Sequence, residues 1–295
     1  MDSALTSVAL PAALAIIMFG LGLSLTLDDF RRVAQHPRAV VIALIAQVVL
    51  LPALCFGLIK AFDLEAALAV GMMLLAASPG GTSANLYSHL FRGDVALNIS
   101  LTAINSVLAV LTLPVLVNFA INHFEPAGAD DVGLQFGKTL QVFAIVLIPV
   151  AIGMLVRRLR PAFSDRAEKP VRIGSAVVLV LVIIGALVGE RENLSEYLAD
   201  VGLITTIFCL CSLTVGYLAP RLAGVTRDQA IATSFEVGIH NSTLAIAVGV
   251  SVLDNDTFAV PAAVYSIAMF PLAALFGYAI SRSTTRSGSE PLAPF

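Results

Sequence analysis

Ser234-Phe235-Glu236-Val237-Gly238-Ile239-His240-Asn241-Ser242 places an acid and a histidine inside a long apolar run, and what surrounds it decides the fold. In a soluble chain Glu236 would be an ordinary surface acid. At membrane depth an acid is costly, and such residues mark ion or substrate pathways. The composition settles which case applies. The chain is 58% hydrophobic and 13% charged, with a mean hydropathy of +0.92. An ordinary soluble domain is roughly 25% charged. Apolar runs of about 18 residues or more, the length that spans a bilayer, recur along the whole length. A polytopic helical membrane protein is expected, and a soluble protein with an outsized core is excluded. Of the 20 acidic residues, Glu236 alone cannot be placed outside the spans or near their ends.

Working outward from Glu236, nine spans are expected: 8–27, 39–61, 64–91, 96–119, 136–156, 173–188, 201–219, 229–253 and 260–280. Charge tests the count. With the N-terminus outside, the inward segments hold Arg31, Arg32, Arg38, Arg92, Arg157, Arg158, Arg160, Arg166, Lys169, Arg172, Arg221, Arg227, Arg282 and Arg286. The outward segments hold only Lys60, Lys138 and Arg191. So 14 of the 17 basic residues fall inside, a strong positive-inside asymmetry, and one span more or fewer would scramble it. Asp130, Asp131, Glu190, Glu192, Glu196, Asp200, Asp254 and Asp256 fall on the outer side. The N-terminus carries Asp2 and no basic residue before its apolar run, so the first run is expected to stay as a span rather than leave as a signal peptide. Cys55, Cys209 and Cys211 lie in apolar spans and read as small buried side chains, not as a disulfide framework or metal set.

Two spans look broken. The third contains Ser78-Pro79-Gly80-Gly81-Thr82-Ser83-Ala84-Asn85, in which proline removes a backbone donor and paired glycines favour unwinding. The eighth contains the Glu236 stretch, with Gly238 between the acid and Asn241. Ser78 precedes Asn85 by the same interval as Ser234 precedes Asn241, and the two spans run in opposite directions. This is the pattern of inverted repeats whose discontinuous helices meet near the midplane. Asp28 to Arg32 reads as a short interfacial segment, 157–172 as a basic cytoplasmic loop whose charge sets topology, and 283–295 as a disordered tail behind a single 1–282 transmembrane unit.

A buried carboxylate without a counter-charge takes up a proton and sits neutral. No Lys or Arg is available at that depth, so the compensating cation comes from solution, as a metal ion or a proton. The in-span groups that could join it are oxygen donors: Gln47, Asn85, Asn98, Thr102, Asn105 and Asn241. Asn98 and Thr102 share a helix face. Oxygen-only coordination with a single negative charge suits a hard monovalent cation. Each residue also has a plainer reading: Thr102 bonding back to its own helix, Asn105 tying helices together, His240 as a packing residue.

These residues are also where the chain becomes recognisable. Ile17-Met18-Phe19-Gly20-Leu21-Gly22-Leu23-Ser24-Leu25, Gln47, Pro79-Gly80-Gly81-Thr82 through Asn85, Arg92-Gly93-Asp94-Val95-Ala96-Leu97 and Glu236-Val237-Gly238-Ile239-His240-Asn241 together resemble the bile acid:sodium symporter family over nearly the whole length. The resemblance implies two inverted repeats with crossing broken helices. Spans 1, 5 and 6 would form a panel and spans 2, 3, 4, 7, 8 and 9 a core. It implies a first sodium site at Ala84, Asn85, Asn98, Thr102 and Glu236, and a second at Gln47, Glu236, Val237, Ile239 and His240, with Val237 and Ile239 acting through backbone carbonyls. Ala84 and Asn98 stand where the family often has serine. His240 stands where glutamine is usual, and imidazole offers nitrogen where a hard cation prefers oxygen. Thr82 and Asn241 match positions that face substrate in relatives. In the last span, Ala268-Met269-Phe270 replaces a Trp-His-Asn run of some bacterial relatives.

The expected function is sodium-coupled symport of a small organic anion by alternating access, in the bacterial inner membrane, with N-terminus outside and C-terminus cytoplasmic. The expected partners are the anion, the sodium ion and the lipid bilayer, with no nucleic acid, and the chain acts as a monomer. Proton coupling through Glu236 and His240 is the alternative, since imidazole titrates near neutrality. A ligand sensor, or an intramembrane hydrolase using Ser234 or Ser242 with His240, is more remote; no enzymatic activity is expected.

Overall fold

The computed structural model describes residues 33–81, 83–126, 136–167 and 194–282, with scattered positions within 15–31 and 170–177. Most of the first and sixth expected spans, Thr82 and the tail 283–295 lie outside the described residues. Among the described residues every named element is helical. In chain order these are α1 (Pro37–Ile45), a π-helical turn (Ala46–Leu50), α2 (Leu51–Ala61), α3 (Ala66–Ala77), α4 (Ser83–Leu90), α5 (Val95–Phe124), α6 (Phe136–Leu159), α7 (Leu194–Leu222), α8 (Arg227–Gly238), α9 (Ser242–Ser251) and α10 (Val260–Arg282).

Among the described residues, four continuous helical stretches are long and apolar enough to cross a membrane: Pro37–Ala61, Val95–Phe124, Val201–Leu222 and Asp256–Ser281. They coincide with the second, fourth, seventh and ninth expected spans, and α6 covers the fifth. Val115 and Leu275 remain 68% and 66% exposed, an outward apolar surface suited to lipid. The expected loop at 157–172 is partly helical over 161–167, and the Arg157 guanidinium pairs with Asp165 at 2.5 Å.

The third and eighth expected spans are each two half-helices. In the third, α3 ends at Ala77 and α4 begins at Ser83; in the eighth, α8 ends at Gly238 and α9 begins at Ser242. Asn241 starts α9 as its N-cap, the side-chain oxygen accepting from the Leu244 N–H at 3.1 Å. The freed backbone groups find each other. Gly81 N–H donates to Ile239 O at 2.7 Å and Asn241 N–H donates to Pro79 O at 2.8 Å, forming an antiparallel bridge between Gly80 and His240. Unwound backbone away from water must be paired, and each break here pairs with the other. The antiparallel sense is what two broken helices running in opposite directions produce.

A third irregularity supports the crossing. Pro52 near the start of α2 has no N–H to give, and just before it the helix widens into the π turn, where Leu51 N–H reaches back to Ala46 O. Gln47 sits in that turn. Its Nε2 donates to Ala76 O at 3.3 Å and Ser78 O at 3.0 Å, capping carbonyls at the broken end of α3. Around the crossing, α7 packs on α8 and α10, and α3 packs on α5.

The closeness of the crossing depends on Gly80. A Cβ there would collide with the Glu236 carboxylate and the Glu236 backbone oxygen. At Gly57, on α2, a Cβ would meet nothing within 4 Å. Gly80→Ala should therefore lower unfolding stability by about 1–3 kcal/mol, and Gly57→Ala should change it by less than about 1 kcal/mol. Thermal unfolding of the two variants in one detergent checks the difference.

Candidate cation site

Glu236 lies two residues before the broken end of α8 and is 0% exposed. Helix α5 faces it along one stripe. Thr102 Oγ1 lies 2.5 Å from Oε2, Asn98 Nδ2 lies 3.3 Å from Oε2, and Asn105 Nδ2 donates to Oε1 at 2.9 Å. The Gly80 backbone, in the opposite break, lies close against the carboxylate: a Cβ there would collide with Oε1. Asn98 Nδ2 also donates to Ala232 O at 3.0 Å, holding α5 against α8. Thr102 Oγ1 is 3.0 Å from Asn98 O as well, but one hydroxyl proton serves one acceptor, and the carboxylate contact is the shorter. Every neighbour of the carboxyl is thus neutral, and among the described residues no Lys or Arg pairs with it.

The orientation of the amides matters as much as their presence. A carboxylate only accepts, so Asn98 and Asn105 turn their NH2 groups toward it. This leaves Asn98 Oδ1 and Asn105 Oδ1 buried without a hydrogen-bond partner. Asn85 Oδ1 on α4 and Gln47 Oε1 on the π turn are orphaned in the same way. Buried oxygens without donors carry a desolvation cost of about 1–3 kcal/mol each. A small hard cation could remove that cost where it reached them, since all four are oxygen donors. Among the described residues no group of three or more His, Cys, Asp and Glu could hold a metal in the manner of a transition-metal site.

The remaining expected site residues fall as follows. Ala84 is buried on α4 beside Asn85, its N–H donating to Gly81 O at 2.9 Å. Val237 is buried next to Glu236, and the Ile239 carbonyl already accepts from Gly81, using one of its two lone pairs. His240 is 1% exposed, with Nδ1 3.1 Å from Tyr265 Oη and Nε2 orphaned. Ser234 Oγ donates to Leu213 O at 2.7 Å, and Ser242 Oγ has no partner, so neither serine is joined to His240 as a nucleophile–base pair. Thr82 lies outside the described residues.

The model of the Sodium Bile acid symporter family matches residues 11–197. The chain belongs to that family. It is 30% identical over 254 residues to an uncharacterized sodium-dependent transporter, YocS, of Bacillus subtilis (strain 168), covering 86% of this chain and 77% of the relative. It is 30% identical over 260 residues to the probable sodium/metabolite cotransporter BASS1, chloroplastic, of Arabidopsis thaliana, covering 86% and 62%. It is 26% identical over 249 residues to the ileal sodium/bile acid cotransporter of Homo sapiens, covering 82% and 69%. These relatives are named as transporters, not enzymes, and this member of the family is likewise a membrane transporter.

One residue escaped the sequence reading and one was read two ways in it. Asn105, read both as a donor that could join Glu236 and as a residue that ties helices together, meets Glu236 itself, and its spacing from Asn98 and Thr102 follows one helix face. Tyr265, from the last helix, meets His240 with no signal in its local sequence. Removing the Asn105 donor in Asn105→Leu should lower unfolding stability by about 1.5–3 kcal/mol, the value of a bond to a charged group. Thr102→Ser keeps its hydroxyl and should stay within about 1.5 kcal/mol of wild type. Thermal unfolding at fixed sodium checks both.

Proposed function

We propose that this family member is a sodium-coupled symporter of a small organic anion. The observation that carries the reading is the arrangement around Glu236. Its neighbours direct N–H and O–H groups at the carboxylate and leave amide oxygens unpaired. Sodium bound by Glu236, Asn85, Asn98, Thr102 and the Ala84 carbonyl, with Asn105 Oδ1 as an added donor, would fill the first site. Gln47, Val237, Ile239, His240 and again Glu236 would form the second. Sodium would then act as the missing counter-charge and hold the two breaks together. The sodium dependence in the relatives' names points the same way.

Beside the crossing, the N-terminal ends of α4 and α9 carry positive dipole character suited to an anion's carboxylate. Thr82 and Asn241 are the residues we assign to substrate. The nine-span arrangement with N-terminus outside, the panel of spans 1, 5 and 6 and the rocking of the core against it complete the mechanism. Close backbone packing of Gly22 against Val150 and Gly153, joining the first expected span to the fifth, supports that panel. Proton coupling through the same acid is the second reading. It is favoured only by the imidazole at 240, and it predicts uptake driven by a pH gradient without sodium.

Sodium in place of choline, at equal ionic strength, should raise the unfolding stability of the purified chain, by about 2.7 kcal/mol at a hundredfold excess over its Kd. The same exchange should be required for organic-anion uptake in proteoliposomes, and Glu236→Gln should abolish both effects. Uptake and stability indifferent to sodium would overturn the proposal.

A further inference from the structure

Tyr265 and His240 form a buried pair whose proton arrangement can be read from its partners. Tyr265, 0% exposed on α10, donates its hydroxyl to Gly238 O at 2.8 Å. That carbonyl is at the last residue of α8, where the break leaves it without a helical partner. The phenol has a single proton and has spent it. At 3.1 Å from the same oxygen, His240 Nδ1 must therefore be the donor, so it carries the ring's hydrogen. In a neutral imidazole Nε2 is then a bare lone pair, and it is a buried atom with no hydrogen-bond partner. Phe208 packs on both rings, with centroids 5.4 Å from His240 and 6.0 Å from Tyr265, and the two rings meet edge to face at 88°. The rotamers of both side chains are thus held by packing as well as by the two bonds.

We propose that Tyr265 is the positioning residue of the second cation site. It holds His240 in the Nδ1–H tautomer so that the Nε2 lone pair is the atom offered to the cation. A ligating histidine characteristically donates its other nitrogen to an oriented acceptor, which fixes tautomer and ring direction. Here one tyrosine oxygen does this while its proton closes the broken end of α8, so ligand orientation and backbone repair depend on one atom. The inference rests on the second sodium site of the proposed function and adds to it a nitrogen ligand with a named support.

The test uses the full chain in lipid nanodiscs, with histidine nitrogens isotopically labelled and His240 assigned by its loss in His240→Gln. Nitrogen NMR should find the proton of His240 on Nδ1. Replacing choline by sodium should shift the Nε2 resonance, and Tyr265→Phe should remove the single tautomer. In thermal-shift titrations with sodium chloride, Tyr265→Phe should raise the half-saturating sodium concentration about tenfold, the range for losing a support of a metal ligand. In the His240→Gln background, where no tautomer needs fixing, the same change should have less than about a twofold effect. A proton on Nε2, an Nε2 resonance equal in sodium and choline, or equal effects of Tyr265→Phe in both backgrounds overturns the inference. If Tyr265→Phe does not fold, the wild-type spectra decide alone. Sodium stabilisation that depends on Glu236 while Nε2 stays unmoved would overturn only this inference; a wild-type chain indifferent to sodium overturns the symporter reading as well.

Discussion

A carboxylate at membrane depth, with no basic residue among those described to neutralise it, is the constraint on which the rest of this molecule depends. Removing an ion from water costs several kcal/mol even after relaxation. Glu236 answers that cost with neutral donors along one helix face, the α5 stripe of Asn98, Thr102 and Asn105, while the opposite break packs its Gly80 backbone against the carboxylate. Hydrogen bonds stabilise the negative charge without cancelling it. The carboxylate is therefore hydrogen-bonded but, among the described residues, without a counter-charge, which is what the proposed sodium site would supply.

The same constraint explains why the backbone is irregular where it is. The broken third span cannot come this close to Glu236 unless it carries no side chain at residue 80. Unwinding frees peptide groups that no water can satisfy, so the third span's break needs a partner, which the eighth provides. Gln47, at the π turn, and Tyr265, on the last helix, take up further carbonyls at the two breaks. Each leaves one atom unspent, Gln47 Oε1 directly and Tyr265 by way of His240 Nε2. Repair of the broken helices thus falls to residues that also support the proposed second site. Stability and ion binding should for that reason be coupled in any variant of them.

Two positions where the family resemblance implies other residues touch this network. Asparagine at 98 reaches both Glu236 and the Ala232 carbonyl, contacts that a shorter serine side chain cannot make together. Histidine at 240 requires Tyr265 to settle its tautomer, whereas a glutamine offers its oxygen without such help. The identity of 26–30% to the sodium-dependent transporters described above spans most of the chain, so these local differences sit within a shared architecture.

Much was legible from the sequence alone because bilayers impose one-dimensional rules. Span length, inward placement of Arg and Lys, and the cost of proline, paired glycine and an acid in an apolar run are all properties of consecutive residues. They located the broken spans and singled out Glu236, Asn98, Thr102 and Gln47. What consecutive residues cannot specify is which lone pair is already used. Whether Asn105 ties helices together or holds a carboxylate, whether Ser234 is a nucleophile or bonded to Leu213, and which nitrogen of His240 is bare were decided by partners more than 20 residues away along the chain. Hydrogen-bond satisfaction is a three-dimensional tally of donors and acceptors, so the sequence by itself determined where the unpaired charge lies, and only the tertiary structure decided which oxygens and which nitrogen remain to meet a cation.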